Sequence, residues 1–221
     1  MRTRPRELTV AAQDYLKAIH ALEDEGVRVT TSALAERMSV SAPSATAMAK
    51  RLAGLGLVER TPYRGVALTE TGRACALEVI RHHRLLERYL ADRLGLTLDE
   101  VHAEAELLEH ALSEELEARI DAELGYPTHD PHGDPIPDAE LKLDAERGRT
   151  LSDLDEGERA AVSRVPDGDP GLLRYLAELG LVPEAEVEVL RRAPYGGPVT
   201  VRTVVGEHAI SRELAGRIAV A

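Results

Sequence analysis

The nine residues from His102 to His110, HAEAELLEH, constrain the chain more than any other stretch. At about 100° per residue on an α-helix, His102, Glu106, Glu109 and His110 fall within roughly one third of the circumference. Two imidazoles and two carboxylates then share one face. A helix that buries such a set without neutralising it loses several kcal/mol to desolvation, so the face must reach water, basic partners or a divalent cation.

Donors elsewhere favour the cation. His83 and Glu87 stand at i and i+4 on a preceding helical stretch, and Asp14 lies near the start of the first one. Taken singly, the His83/Glu87 pair also reads as a surface hydrogen bond and Asp14 as a helix-start carboxylate favoured by the macrodipole. Taken together the donors can make two sites, one of Asp14, Glu106, Glu109 and His110, the other of His83, Glu87 and His102. The competing reading is a solvated acidic face. Oxygen-rich donors without thiolate favour Mn²⁺ or Fe²⁺, with Zn²⁺ and Co²⁺ able to bind in vitro.

The net charge of -12 argues against a nucleic-acid binder only until it is divided. Residues 1–74 carry 11 Lys or Arg against 8 Asp or Glu, whereas the remainder carries 16 against 31. A mildly basic N-terminal module on an acidic body can offer one face to phosphates and repel DNA elsewhere. The one cysteine, Cys75, excludes an intramolecular disulfide framework and suits a reducing compartment. No stretch approaches about 18 uninterrupted apolar residues and no leader pattern opens the chain, so a soluble cytoplasmic protein is expected.

Along the chain, residues 9–24 space Ala12, Tyr15, Leu16, Ile19 and Leu22 as an amphipathic helix, with Thr9 as N-cap. A short helix around Ser32–Met38, an SVS turn and a second helix from Ala42, capped by Ser41, follow. Pro43 is tolerated in the first turn. On that second helix Ala45, Met48, Ala49 and Leu52 face inward, leaving Ser44, Thr46, Ala47, Lys50 and Arg51 for a major groove. Runs 57–60 and 66–69 bracket TPYRG as a β-hairpin, with Arg60, Tyr63 and Arg64 at its tip suited to phosphates. This is the pattern of a winged helix-turn-helix; a small helical domain without a nucleic-acid role is the alternative.

A long helix is expected over residues 70–94, closed by Gly95. A Thr97/Glu100 capping box starts the helix of His102–His110, and Ser113 caps another that carries Leu116, Ile120 and Leu124. The Pro-rich stretch 126–150 reads as a linker; its His129 and His132 could bind metal but lack evident convergence. Beyond it, period-two runs at 160–165, 186–190, 199–205 and 216–220 with one helix at 170–179 argue a small SH3-like β-barrel. The fold class is mainly α with small β: a DNA-binding domain at 1–74, a helical dimerisation and metal-binding domain at 75–140, a linker at 141–150 and a barrel at 151–221.

These residues resemble the diphtheria-toxin-repressor family of metal-dependent transcriptional regulators, in its manganese-responsive branch with a C-terminal SH3-like (FeoA-like) domain. The resemblance is carried by QDYL at Gln13–Leu16, the helix-turn-helix, HRLLERYL at His83–Leu90, VHAEAELLEH at Val101–His110 and HGDPIP at His132–Pro137. It implies that Asp14, Glu106, Glu109 and His110 form a primary regulatory site and His83, Glu87 and His102 an ancillary one. It implies too a homodimer that binds palindromic operator DNA, needs no membrane, and represses metal-uptake genes when a cation fixes the DNA-binding module. Iron-sensing relatives carry Met and Cys where this chain has Asp14 and Glu106, so manganese is expected; short two-domain manganese regulators carry a carboxylate where this chain has Lys17. Some relatives lend ancillary ligands from the barrel, here Asp167 or Asp169.

Other readings are an iron-responsive regulator of the same family and a metal-buffering protein without a DNA role. A carboxylate-bridged enzyme expects Glu-x-x-His on two helices. No His here has Glu three residues before it, so no enzyme is expected.

Overall fold

The computed structural model describes residues 8–61, 65–143 and 148–221. Tyr63 and Arg64, expected at the wing tip, lie outside the described residues. The chain divides into two bodies. One comprises the described residues up to His83 with Glu109–Leu112 and Pro137–Leu143; the other comprises Arg84–Leu108, Ser113–Ile136 and the described residues beyond 147.

In the first body the apolar spacing of residues 10–24 produces α1 (Val10–Asp24), which buries Ala12, Tyr15, Leu16, Ile19 and Leu22. Thr9 takes the N-cap position in extended conformation but makes no side-chain cap bond. Two short helices follow, α2 (Thr31–Arg37) and α3 (Ala42–Gly54). Thr30 caps α2 by accepting from the Ala33 N–H at 3.0 Å, and Ser41 caps α3 by accepting from the Ser44 N–H at 3.3 Å. Leu34 and Ala35 of α2 and Ala45, Ala49 and Leu52 of α3 join α1 in one core with Leu57, Val58 and Val66. The wing is the antiparallel pair β1 (Val58–Thr61) and β2 (Gly65–Leu68), in register from Val58↔Leu68 to Thr61↔Gly65. Gly65 sits at φ +101°, where a Cβ would lie 2.3 Å from the Val29 carbonyl oxygen. Its lack of a side chain lets Val66 N–H donate to that oxygen at 2.9 Å and seat the wing beside α2. Loss of the α2 cap in Thr30→Ala is expected to lower unfolding free energy by about 1 kcal/mol, read as a lower urea midpoint at unchanged slope.

The helix α4 (Glu70–Leu94) ends, as its glycine implied, at Gly95 with φ +73°. Next is α5 (Leu98–Leu108), where the Glu100 carboxylate accepts from the Thr97 N–H at 2.9 Å. The helix stops at Leu108, so Glu109 and His110 lie in the turn after it and not on the continuous helical face expected from the pattern. Side chains and backbone there are engaged elsewhere: His82 Nδ1 lies 3.1 Å from the Glu109 carbonyl oxygen and the Glu109 carboxylate meets Lys17. Such tertiary bonds outweigh helix propensities of a few tenths of a kcal/mol per residue. Ser113 caps α6 (Glu114–Glu123), of which Ile120 is buried and Leu116 exposed.

Residues 128–136 are not the passive linker that four prolines suggested. Asp130, His132 and Ile136 are buried. Asp130 Oδ1 accepts from the His132 and Asp134 N–H groups at 2.8 and 2.9 Å, folding the loop on itself. Gly133, at φ +92°, lies so close to β4 (Arg159–Arg164) that a Cβ would come 1.9 Å from the Ser163 carbonyl oxygen. Val165 N–H completes the seam by donating to the His132 carbonyl at 2.9 Å.

The C-terminal part is a six-stranded antiparallel sheet in the order β3-β8-β4-β5-β6-β7. Its remaining elements are β3 (Arg149–Thr150), α7 (Pro170–Glu178), β5 (Glu186–Arg192), β6 (Val199–Arg202), β7 (Glu207–Ile210), α8 (Arg212–Ala215) and β8 (Ala219–Val220). Leu151, Val162, Leu173, Leu176, Val189, Val201, Ile210 and Ile218 form its own core. Strands β3 and β7 have no counterpart among the period-two runs. Arg174 of α7 donates to Asp99 of α5 at 2.9 Å, joining the sheet domain to the helices of the second body.

Candidate metal centres and a DNA-facing helix

In the first body Asp14, Glu109 and His110 each turn one ligand atom toward a common point, all within 4.8 Å of one another. His110 is aimed there by Gln13. The Gln13 amide nitrogen donates to the Leu8 carbonyl at 3.4 Å, so its Oε1 faces His110 Nδ1 at 2.7 Å and accepts the ring proton, an orientation assigned from these bonds. Nε2 is left 2.9 Å from Asp14 Oδ1 and 3.4 Å from Glu109 Oε1. An imidazole lone pair between two carboxylates is repulsive unless a proton or a metal ion intervenes. The donor set therefore fits a divalent cation, and the Gln13 contact is the kind that fixes a ligating imidazole. Glu109 is fully buried, and its second oxygen takes Lys17 Nζ at 2.9 Å and His83 Nδ1 at 2.5 Å.

Of the residues expected at the primary site, Asp14, Glu109 and His110 are thus brought together. Glu106 belongs to the second body, where its carboxylate is exposed and lies 4.0 Å from His102 Nε2. Cys75 is buried in the core, its thiol pushed up to about 11 by burial and by Glu78, and Met38 and Met48 pack against the same core.

The second body holds a buried cluster of its own. Glu87, with no exposed surface, has Oε1 3.1 Å from His102 Nδ1 and 3.7 Å from His132 Nε2. His132 is itself fully buried, and among the described residues neither of its ring nitrogens finds a hydrogen-bond partner; 3.7 Å is too long for one. Asp130 Oδ2 is likewise without a hydrogen bond and lies 3.7 Å from Arg84 Nε. Asp134 sits 3.2 Å from Arg164 and 3.6 Å from Arg84. Burial, then Asp134 and Glu87, push the Asp130 carboxyl up to about 7. Burial raises the Asp134 carboxyl as well, against Arg84. For His132, burial favours the neutral ring, but Glu87, Asp130 and Asp167 together outweigh it and raise the imidazole above its usual range. Orphaned imidazole nitrogens among buried carboxylates that hold protons tightly mark a place short of positive charge, and a divalent cation fits it.

Glu87 and His102 were expected here; His83, expected with them, belongs to the first body, where its Nδ1 lies 2.5 Å from Glu109 Oε2. His132 and Asp130 were not included in the expected set. His132 opens the HGDPIP motif, but nothing in a proline-rich string announces burial. Asp169 is occupied as the α7 N-cap, accepting from Gly171 and Leu172 N–H groups. Asp167 is half-buried and free of that duty, and it acts electrostatically on His132 and Asp134.

On α3, Ser41, Pro43, Ser44, Ala47, Lys50 and Arg51 are exposed and Thr46 is half-buried, while Ala45, Ala49 and Leu52 lie in the core. Arg60 on β1 is exposed as well. One helix thus shows small polar residues followed by two cations, the surface that a major groove and its phosphates accept.

Comparison with known proteins gives matches over nearly the whole chain. Residues 7–66 match the model for the iron dependent repressor N-terminal DNA binding domain, and residues 69–138 that for the iron dependent repressor metal binding and dimerisation domain. Residues 149–221 match the FeoA domain. The chain is 39% identical over 207 residues to the iron-dependent repressor IdeR of Mycobacterium tuberculosis (strain ATCC 25618 / H37Rv), covering 88% of this chain and 89% of that protein. It is 34% identical over 195 residues to the diphtheria toxin repressor of Corynebacterium efficiens, covering 84% and 85% of the two. A solved manganese-dependent transcriptional repressor in complex with manganese superposes with a TM-score of 0.85 at 42% identity, over 95% of this chain and 99% of that one.

Proposed function

The chain belongs to the iron-dependent repressor family, and from that premise we propose a DNA-binding transcriptional repressor of metal homeostasis whose grip on its operator is switched on by Mn²⁺. The observation that carries this reading is the convergence of Asp14, Glu109 and His110 in the same body as the exposed α3. Asp14 stands on α1, and α1 shares one core with α3. A cation held by Asp14, Glu109 and His110 meets the negative charge of the two carboxylates and ties α1 to the turn after α5. The DNA-binding helices then lose less freedom when they meet DNA.

The second centre is assigned to Glu87, His102 and His132, with Asp130 and Asp167 as nearby carboxylates. Its donors come from α4, α5 and the loop packed on β4, so an ion there pins that loop and the sheet domain to the helices. Manganese is favoured over iron by the hard donor set. Relatives named for iron make the iron-responsive regulator the second reading. Homodimerisation is supported by apolar side chains left in solvent on the second body, Leu107 at 75% and Tyr126 at 70% exposure, and a twofold dimer suits a palindromic operator.

Fluorescence anisotropy with labelled DNA from a metal-uptake promoter tests the function at fixed salt. Mn²⁺ is expected to tighten binding by roughly 10–100-fold over a chelator-treated sample, with Fe²⁺, Co²⁺ and Zn²⁺ run in parallel. Equal affinity with and without metal overturns the regulatory reading and leaves metal buffering. A larger response to Fe²⁺ than to Mn²⁺ at equal free concentration moves the assignment to iron.

A further inference from the structure

We infer that Glu23 is a positioning residue for DNA binding: it sets the angle of the wing, and with it the reach of Arg60 to operator phosphates. The inference rests on the reading of the first body as a DNA-binding module. A two-stranded ribbon such as β1–β2 is marginal by itself, so its pose depends on what takes the hydrogen-bonding groups along its open edge. Thr69 N–H donates toward β1, to the Leu57 carbonyl at 3.0 Å. Because N–H groups alternate in direction along a strand, those of Leu68 and Val66 leave β2 on the opposite edge. There Val66 N–H donates to the Val29 carbonyl at 2.9 Å and Leu68 N–H to Glu23 Oε1 at 2.9 Å. One backbone carbonyl and one side-chain carboxylate thus stand where a third strand would.

The same side chain also grips α4. Glu23 Oε2 accepts from Arg73 Nη2 at 2.6 Å, and Arg73 lies in the first turn of α4, whose start Thr69 caps by accepting from the Gly72 N–H at 3.0 Å. The two carboxylate oxygens therefore hold the chain on both sides of Thr69, the junction at which the wing becomes α4. Glu23 is only 20% exposed in this pair, whereas the Arg37–Glu25 pair two residues on has both partners exposed, an ordinary surface contact. Val58 and Val66 pack into the core, but apolar packing is non-directional, and a ribbon hydrogen-bonded at Val66 alone can still pivot. The Leu68 bond removes that freedom. Val66 stands opposite Arg60 in the ribbon and Leu68 opposite Val58, so a turn about Val66 re-aims the exposed Arg60.

Anisotropy of the full chain with labelled DNA from a metal-uptake promoter, at saturating Mn²⁺ and across a salt series, provides the test. Glu23→Ala is expected to bind more weakly and to flatten the plot of log affinity against log salt by about 0.9 for each DNA-bound chain, the loss of one phosphate contact. Loss of an acidic side chain would by charge alone tighten binding to DNA. A partly unfolded sample lowers the apparent affinity by the same factor at every salt concentration, so a flattened slope reports the wing. Arg60→Gln is expected to flatten the slope by a similar amount, and Glu23→Ala added to Arg60→Gln to cost less than it does in wild type. Glu23→Gln combined with Arg73→Met leaves one amide acceptor for the one remaining donor, Leu68 N–H, and is expected to keep the wild-type slope. An unchanged slope in Glu23→Ala, or full additivity with Arg60→Gln, overturns the inference and leaves the DNA-binding reading intact. A flattened slope in the Glu23→Gln, Arg73→Met protein overturns it as well and needs no folded Glu23→Ala. Identical slopes in wild type and Arg60→Gln take the wing off the DNA, and the inference falls with the Arg60 assignment.

Discussion

In an Asp14→Asn variant, the Mn²⁺-dependent gain in operator affinity is expected to disappear, with Mn²⁺ affinity at the first centre falling by roughly 100-fold or more. Substitution of groups that only orient a ligand typically costs 10–100-fold, and Asp14 is proposed as a ligand. Asn keeps the size of Asp and can still hydrogen-bond His110 Nε2, which Asp14 Oδ1 approaches to 2.9 Å. It removes the negative charge, however, and leaves Glu109 as the one carboxylate of the three converging residues, already shared with Lys17 and His83. Asp14 is half-buried while its neighbours Ala12, Tyr15 and Leu16 supply the core. Binding of the metal-free variant to DNA should therefore match that of metal-free wild type. Anisotropy with and without Mn²⁺ reads the first effect and calorimetric titration the second. A full Mn²⁺ response in the variant removes Asp14 from the centre.

The helices were legible because their information is periodic and local. Ser41 and Ser113 are N-caps, Gly95 and Gly125 close their helices at positive φ, and the buried residues of α3 alternate with its exposed ones as helix geometry requires. The sequence misled where a tertiary contact outweighed a local preference. Glu109 and His110 continue a good helical pattern, but the ties of Glu109 to Lys17, His82 and His83 accompany a helix that ends before them. Proline density at 127–137 correctly excluded helix, yet it carries no information about burial; His132, offered by the sequence as a ligand without evident convergence, is buried where Gly133 packs against Ser163. Strands β3 and β7 escaped notice because two- and four-residue runs give too little alternation to count.

The buried cluster of the second body makes the other large prediction. Without metal, Asp130→Asn is expected to be more stable than wild type above about pH 7 by ~2–4 kcal/mol, and to lose that advantage as pH falls toward 4. The carboxyl ordinarily titrates near 3.8 and is raised to about 7 in the folded chain. Between those values the folded state holds a proton that the unfolded chain has released, so stability declines as pH climbs through the window and the deficit is complete above it. Asn preserves the acceptor that fixes His132 and Asp134 N–H groups and never ionises, so it escapes the deficit. The raised Asp134 and His132 act in the same direction, because each also binds a proton more tightly folded than unfolded. A divalent cation substitutes for those protons. Saturating Mn²⁺ should therefore reverse the order, stabilising wild type more than Asp130→Asn, and should bind more tightly as pH rises from about 5 to 8. Urea denaturation at pH 5 and pH 8, with chelator and with Mn²⁺, checks all four conditions. If Asp130→Asn is the less stable protein in chelator at pH 8, Arg84 already neutralises Asp130 and the second centre has no unmet demand for a cation.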